Sequence, residues 1–160
     1  MNPHAGVKVY VANRQRRLRV PAARIRQAAE AAAAFGGLEG ILSVVVVGDR
    51  KMRRLNRRFA SADGTTDVLA FDLGADVDPK GPTGEVIVNA SVALEEAERR
   101  GKGAEGELLL YVVHGVLHLG GLRDATPGEI RCMRSAERTL MRRLSAPQGE
   151  PKTGGGGKND

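Results

Sequence analysis

The chain has 160 residues and a mass of 17.0 kDa, which suits a single domain with one core. It carries 25 lysines and arginines against 19 acidic residues, which gives a net charge of +6. This charge favours anionic partners such as nucleic acid; the alternative is that it serves only to keep the protein in solution. Two tyrosines, three phenylalanines and no tryptophan argue against a row of stacked rings that holds single-stranded nucleic acid.

The compartment is predicted from cysteine usage and hydropathy. Cys132 is the only cysteine, which excludes an internal disulfide and is typical of a reducing compartment; we expect it to be a small buried apolar group. No apolar run is long enough to span a bilayer, and the first residues lack the core of a signal peptide. We therefore expect a cytoplasmic protein with no membrane partner.

The first third of the chain predicts two strands joined by a helix. Residues 7–13 alternate and are β-branched, which indicates a strand. Residues 21–35 open with Pro21 and continue through strong helix formers, so a helix is predicted there. The short valine-rich run at residues 41–48 is typical of a buried central strand.

A basic helix and a loop follow the central strand. Asp49 stands where it can cap a helix over residues 50–59, and the loop chemistry of residues 61–66 ends that helix. The apolar stripe of the helix is predicted to consist of Met52, Leu55 and Phe59.

The middle of the chain predicts a hairpin and two helices. Residues 67–73 and 84–89 read as paired strands joined by a long, turn-rich connection. Residues 90–100 form a helix, and a Gly-rich turn separates it from the apolar helix predicted over residues 107–121.

The last helix begins with a capping motif. Thr126 is its predicted N-cap, Pro127 lies in its first turn, and Glu129 follows three residues after the cap. Residues 145–160 hold no apolar residue beyond one alanine, so we expect a disordered Gly-rich tail there. Helical spacing relates the apolar residues Ile130, Met133, Leu140 and Leu144.

The segment HGVLHLGGLRD, residues 114–124, holds the main candidate for chemistry. His114 and His118 are four residues apart on a predicted helix, so both imidazoles lie on one face and can bind one metal ion. Spacing alone favours the alternative, two histidines bonded to backbone carbonyls or lying at the rim of the core. Asp124 shifts this balance, because two imidazoles, a carboxylate and an open position form a catalytic type of zinc site.

Gly115 distinguishes this segment from the zincin proteases. In those enzymes a glutamate that acts as general base follows the first histidine, whereas here the residue is glycine. Without a side chain at Gly115, another backbone or a substrate can approach the helix closely.

Four segments resemble the YbeY family, bacterial metal-dependent endoribonucleases of rRNA maturation. HGVLHLGG is similar to the family signature H-G-x-L-H-L-x-G. Upstream, KMRRLNRRF resembles its Leu-Asn helix with an aromatic, TTDVLAF its T-D-V-L-S-F strand and GEVIVN its G-D-I-x-I strand. The resemblance implies one α+β domain over residues 1–144, with a small mixed sheet of about four strands, about five helices, and a metal ion in a cleft lined by positive charge.

Two positions depart from the family pattern. The family's metal site ends in G-Y-D-H with a third histidine, and this chain has Asp124 there. A carboxylate oxygen binds zinc at a distance similar to that of an imidazole nitrogen, so the site is retained with one positive charge fewer, and a bound water becomes less acidic. The family also has an arginine directly after the aromatic of the Leu-Asn helix. This chain has Ala60 there, so a phosphate contact has moved or is lost.

Two helices carry rows of positive charge. Residues 50–58, which follow the central strand, include six lysines and arginines. These cations repel one another unless an anion is near, so the helix is predicted to bind phosphate and not merely to face solvent. The residues predicted to bind RNA there are Arg50, Lys51, Arg54, Arg57 and Arg58. The last helix carries a second row of positive charge, which Glu137 partly neutralises. Its members are Arg131, Arg134, Arg138 and Arg142.

The resemblance implies a metal-dependent endoribonuclease that is directed at single-stranded RNA and acts in rRNA processing. His114 and His118 are its predicted catalytic residues, and these two with Asp124 are the predicted ligands of one zinc ion. The ion polarises a phosphate oxygen and acidifies a water, while arginines stabilise the added negative charge. The sequence does not identify the general base: Asp67 and Glu129 are candidates only because they lie near the motifs in the sequence, and loop hydrogen bonding and helix capping are the roles expected first.

Two other functions also agree with the sequence. An rRNA-binding ribosome assembly factor with weakened or lost catalysis is the main alternative, which Asp124 and Ala60 favour. A hydrolase of a smaller phosphate ester or of a protein is the third, although the charge favours a long polyanion. The expected partners are rRNA and the small ribosomal subunit or its assembly factors, and we expect a monomer.

Overall fold

The structure, a computed structural model, describes residues 6–74 and 80–146. The predicted α+β class is confirmed, with four strands and five helices in the described residues. Most of the predicted tail, residues 147–160, lies outside the described residues, so the division into a domain and a tail stays a prediction. The elements are β1 (Val7–Asn13), α1 (Ala22–Gly36), β2 (Gly40–Val47), α2 (Asp49–Ala60), β3 (Val68–Asp72), β4 (Gly84–Asn89), α3 (Ala90–Arg100), α4 (Ala104–Leu119) and α5 (Pro127–Ser145).

The four strands form one mixed sheet in the order β1-β2-β4-β3. The first three of these are parallel, and β3 runs antiparallel to β4, with Val68 opposite Val88 and Asp72 opposite Gly84. The predicted hairpin and the mixed sheet are therefore confirmed. The valine-rich β2 pairs with strands on both sides, as expected of a central strand.

The sheet has a thick core on one face and a thin one on the other. Alternate side chains of a strand point to opposite faces, so Val44, Val46 and Val86 enter the main core with α1, α4 and α5. Their neighbours Val47 and Ile87 point the other way. They pack against Met52 of α2 in a smaller cluster. The two predicted functional helices, α2 and α4, thus lie on opposite faces of the sheet.

Gly115 lets α4 lie unusually close to the sheet. A Cβ atom built at this position falls 2.6 Å from Cγ1 of Val86 and 2.9 Å from Cγ2 of Val68. The predicted close approach to the helix is therefore made by valine side chains of the sheet, and it leaves no room there for a substrate.

Asp49 begins α2 but does not cap it. The N-cap is Gly48, which provides no side-chain cap, so the prediction for Asp49 is wrong. The carboxylate instead accepts hydrogen bonds from Arg53 Nε at 2.7 Å and from Asn89 Nδ2 at 3.2 Å. A tertiary contact with the end of β4 has replaced the local cap.

Two side chains predicted to point inward are exposed. Phe59 is 56% exposed and packs edge-to-face on Phe71, with ring centroids 5.5 Å apart, at the rim of the smaller core. Cys132 is exposed on α5, because the helix buries its neighbour Met133 instead. No helix in the described parts of the chain is long and apolar enough to cross a bilayer.

Candidate metal centre

The C-terminal turn of α4 brings the two histidines and Asp124 together. α4 ends at Leu119, and Gly121 adopts φ 101°, a left-handed conformation that favours glycine. The chain therefore turns back, and the backbone N–H of Leu122 donates to the carbonyl of Leu117 at 3.1 Å. The glycine pair in the sequence thus places the carboxylate of Asp124 beside the imidazoles.

Three donor atoms converge on one point. Nε2 of His114 and Nε2 of His118 are 2.9 Å apart, and Oδ2 of Asp124 lies 3.4 Å from the former and 3.3 Å from the latter. Donor atoms that surround a zinc ion tetrahedrally at 2.0–2.1 Å are about 3.3 Å apart. Two ring nitrogens this close repel each other unless a proton or a cation lies between them. The residues present therefore fit a divalent metal ion.

Glu137 hydrogen-bonds to the ring nitrogen of His114 that faces away from the other donor atoms, a role that was not predicted from the sequence. Its Oε1 lies 2.6 Å from Nδ1 of His114, and both side chains are largely buried. The Nδ1–H group donates to the carboxylate, which turns the lone pair of Nε2 toward His118 and Asp124. This hydrogen bond, opposed by burial, raises the pKa of His114. Glu137 interrupts the apolar stripe of the last helix, and that was the signal in the sequence.

His114 and Asp124 line a cleft of about 920 Å³ between α3, α4, α5 and residues 65–67. Five carboxylates and three arginines line it, a net charge of −2 with His114 neutral. The positively charged lining that the resemblance implied is therefore wrong for this chain. The carboxylates are Asp67, Glu96, Glu107, Asp124 and Glu137, and the arginines are Arg99, Arg100 and Arg134.

Salt bridges neutralise two of these arginines at the α3 end of the cleft. Arg99 Nη2 lies 2.6 Å from Oε2 of Glu96. Arg100 is shared: its Nε is 3.1 Å from the same oxygen of Glu96, and its Nη1 is 3.7 Å from Oε1 of Glu107. The pairing arises because the last turn of α3 is basic and its acidic partner Glu96 is three and four residues earlier.

The predicted RNA-binding residues lie away from the histidines. α2 packs on the opposite face of the sheet from α4, and none of its side chains lines the cleft. Arg57 is 3.9 Å from Oδ1 of the exposed Asp63. The predicted residues Arg50, Lys51, Arg54, Arg57 and Arg58 are all exposed.

The two candidates for general base occupy different surfaces. Asp67 lines the cleft, and its Oδ1 accepts from the hydroxyl of Thr66 at 3.3 Å. Glu129 does not line it; its Oε2 accepts from the backbone N–H of Ala125 at 3.1 Å, while its own N–H donates to Oγ1 of Thr126. The capping interpretation is therefore confirmed for Glu129.

Comparisons with known proteins match most of the chain. The family model described as Endoribonuclease YbeY matches residues 10–145. Endoribonuclease YbeY of Geobacter sulfurreducens is 35% identical over 142 residues, which cover 84% of this chain and 94% of that protein. The protein of the same name from Geobacter metallireducens is 36% identical over 141 residues, with the same coverage. The solution structure of TM1509 from Thermotoga maritima has the same fold, with a TM-score of 0.59, 22% identity, and 92% of this chain and 99% of that chain covered.

Proposed function

Because the chain belongs to the YbeY family, we propose that it is a metal-dependent endoribonuclease that hydrolyses single-stranded RNA during rRNA maturation. The observation that carries the proposal is the convergence of three metal-binding atoms, from His114, His118 and Asp124, beside a cleft large enough for a nucleotide. The Geobacter relatives, which this chain spans almost completely, carry the name endoribonuclease.

His114, His118 and Asp124 are the proposed ligands of one zinc ion. Two imidazoles and one carboxylate leave a position open for a reacting group, as in catalytic zinc sites. A bound ion supplies Lewis acidity, which polarises a phosphate oxygen and makes a water more acidic. Glu137 fixes the ring of His114 through its Nδ1 proton, so that Nε2 faces the ion.

Asp67 is the proposed proton acceptor. Of the other cleft carboxylates, Glu96 and Glu107 form ion pairs with arginines, and Asp124 and Glu137 contact the histidines. Asp67 remains available to take a proton from the attacking water, since its carboxylate accepts a hydrogen bond from the neutral hydroxyl of Thr66.

RNA outside the cleft is proposed to follow the basic face of α2. This helix contacts α3, whose last turn lines the cleft, so one strand of RNA can reach both surfaces. The proposed partners are rRNA and the small ribosomal subunit or its assembly factors, and the proposed setting is the cytoplasm, where the chain acts as a monomer.

The first test combines metal content with RNA cleavage. Protein purified without chelator is expected to hold about one zinc per chain and to cut an rRNA fragment in its single-stranded loops. His118→Ala is expected to lose the metal and the cleavage while it still binds the RNA. Equal cleavage by the wild type and by His118→Ala contradicts the proposed nuclease function. RNA binding without cleavage by a zinc-loaded wild type favours the assembly factor instead, for which Asp124 and Ala60 are the sequence grounds.

A further inference from the structure

A metal ion alone leaves the charge of the substrate uncompensated in this cleft. The lining has a net charge of −2, which one divalent ion only neutralises. A phosphodiester brings one more negative charge and develops another during hydrolysis, so a cation that pairs with no carboxylate is needed beside the donor atoms. α2 supplies none, because it does not line the cleft.

Arg134 is the cleft arginine that meets this need. Arg99 and Arg100 are held by Glu96 and Glu107 at the α3 end. Arg134 is exposed on α5, and it forms no ion pair with any carboxylate among the described residues. Its charge therefore remains available for an anion.

The position of Arg134 on α5 directs it to the metal-binding end of the cleft. It precedes Glu137 by three residues, roughly 4.5 Å along the helix axis, and such residues share a face. Glu137 contacts His114 directly, and Ile130 and Met133 complete the same cleft-lining face. Arg131 precedes Arg134 by three residues on the same helix, so like-charge repulsion further favours an anion there.

We propose that Arg134 binds the phosphate that is cleaved, a role that rests on the proposed nuclease function. Its planar guanidinium donates two N–H groups to the two non-bridging phosphate oxygens, and these bonds strengthen as negative charge develops. α5, and not α2, then provides the phosphate-binding arginine of this chain.

The kinetic test compares Arg134→Ala with Arg138→Ala, the removal of an exposed arginine one turn further along the same helix. With zinc-loaded protein and a single-stranded RNA oligonucleotide, Arg134→Ala is expected to lower kcat ten- to hundredfold, with a smaller change in KM. Arg134→Lys restores part of this loss, and Arg138→Ala stays within twofold of the wild type. Zinc affinity is unchanged in all three variants, which distinguishes phosphate binding from damage to the metal site.

An equilibrium test separates this contact from the nuclease function itself. A labelled single-stranded DNA oligonucleotide serves as a probe that an endoribonuclease does not cut. Loss of one phosphate contact is expected to reduce the slope of log K against log salt by about 0.7 in Arg134→Ala, and Arg138→Ala leaves the slope unchanged. Arg134→Gln repeats the measurement if the alanine variant does not fold.

The possible outcomes are distinct. If the wild type cuts RNA while the Arg134 and Arg138 variants behave alike in both tests, the role of Arg134 is wrong and the nuclease stands. If the wild type cuts no RNA but Arg134→Ala alone reduces the salt slope, the phosphate contact stands and the nuclease fails.

Discussion

At the residue scale, the contact between Glu137 and His114 decides which nitrogen of the histidine faces the cleft. Glu137→Gln keeps an acceptor for the Nδ1 proton but removes the negative charge that makes the ring a better ligand. We expect zinc to bind ten- to hundredfold more weakly, as measured by calorimetric titration of metal-free protein.

Glu129→Gln is the matched control on the same helix. Its carboxylate accepts from the backbone N–H of Ala125, next to Asp124, but Glu129 itself does not line the cleft. Because the amide oxygen of glutamine still accepts this hydrogen bond, zinc affinity is expected to stay at the wild-type value. Equal zinc affinity in Glu137→Gln and the wild type contradicts the supporting role of Glu137.

The sequence predicted those site residues that lie close together along the chain. His114 and His118 share a helix face through their spacing, and the family pattern pointed to Asp124 six residues later. Glu137 escaped prediction because it reaches His114 through the packing of α5 on α4, and no local pattern encodes which residues of two helices meet. Arg134 was visible only as one of a row of charges, since pairing with carboxylates is likewise a tertiary property.

At the element scale, the position of the histidines depends on how closely α4 packs on the sheet. In Gly115→Ala the new methyl group clashes with Val86, and α4 must shift together with the neighbouring His114. We expect the free energy of unfolding in urea to fall by about 1–3 kcal/mol. Zinc affinity falls as well, because the donor atoms on α4 move relative to Asp124.

Two further variants check this explanation. Gly106→Ala lies on the same helix with no atom within 4 Å of the new methyl group, so it is expected to stabilise the protein by about 0.5–1 kcal/mol. The double variant Gly115→Ala with Val86→Ala relieves the clash and recovers part of the zinc affinity. If zinc affinity is unchanged in Gly115→Ala, the close packing of α4 on the sheet does not determine the position of the metal-binding atoms.

A buried junction joins α2, the loop before β3 and α3. Asn89 is fully buried at the end of β4, and its Nδ2 donates to Oγ1 of Thr65 at 2.9 Å and to Oδ1 of Asp49 at 3.2 Å. Its Oδ1 accepts from the N–H groups of Ser91 and Val92 and so caps α3. The junction fixes residues 65–67, which form one wall of the cleft.

This junction predicts a pH-dependent stability. Hydrogen bonds from Thr65 and then Arg53, against burial, lower the pKa of Asp49 below its ordinary value of 3.8. The ionised carboxylate therefore stabilises the fold above pH 3.8, and the contribution is lost as pH falls through the lowered folded value. We expect Asp49→Asn to unfold more readily than the wild type in urea at pH 7, with a smaller difference at pH 3.

Asp63→Asn controls for a general effect of removing one negative charge. The Asp63 side chain is 99% exposed, and its substitution is expected to change the unfolding free energy little at either pH. The role of the Asp49 charge is contradicted if Asp49→Asn lowers the free energy of unfolding by the same amount at pH 7 and at pH 3.

Periodicity predicted the elements well because each has its own pattern. β1 spans the predicted residues 7–13, β4 spans 84–89 and α3 spans 90–100. Two errors fell where a tertiary contact decides: Asp49 bonds across to β4, and Phe59 lies at the rim of the smaller core. The start of α4 at Ala104, before its apolar run, has a local reason instead, because alanine and glutamate favour a helical first turn.

At the scale of the whole molecule, the positive charge lies outside the cleft. The chain carries +6 in total, yet the cleft lining carries −2, so the excess of cations is on the outer surface. The sequence allowed the charges to be counted but not placed, because their positions depend on which helix faces cover the sheet. An RNA strand is thus expected to be attracted by the outer surface and hydrolysed in a cleft that needs a metal ion.

This separation predicts that α2 affects RNA affinity and leaves the chemical step unchanged. Replacing Arg50, Lys51, Arg54 and Arg58 by glutamine removes four exposed cations. Each lost phosphate contact reduces the salt slope of single-stranded RNA binding by about 0.7, so four contacts reduce it by about 3. Because α2 does not line the cleft, kcat at saturating RNA is expected to stay within about twofold of the wild type, while KM rises.

The matched control removes four exposed arginines from the segment after β1, namely Arg14, Arg16, Arg17 and Arg19. Both variants lose the same charge, so any difference between their salt slopes measures where the RNA lies. A larger reduction for the α2 variant places the RNA on α2. Equal reductions of the two salt slopes mean that the net charge of the protein attracts RNA without a preferred path. A fall in kcat for the α2 variant means that this helix contributes to the chemical step.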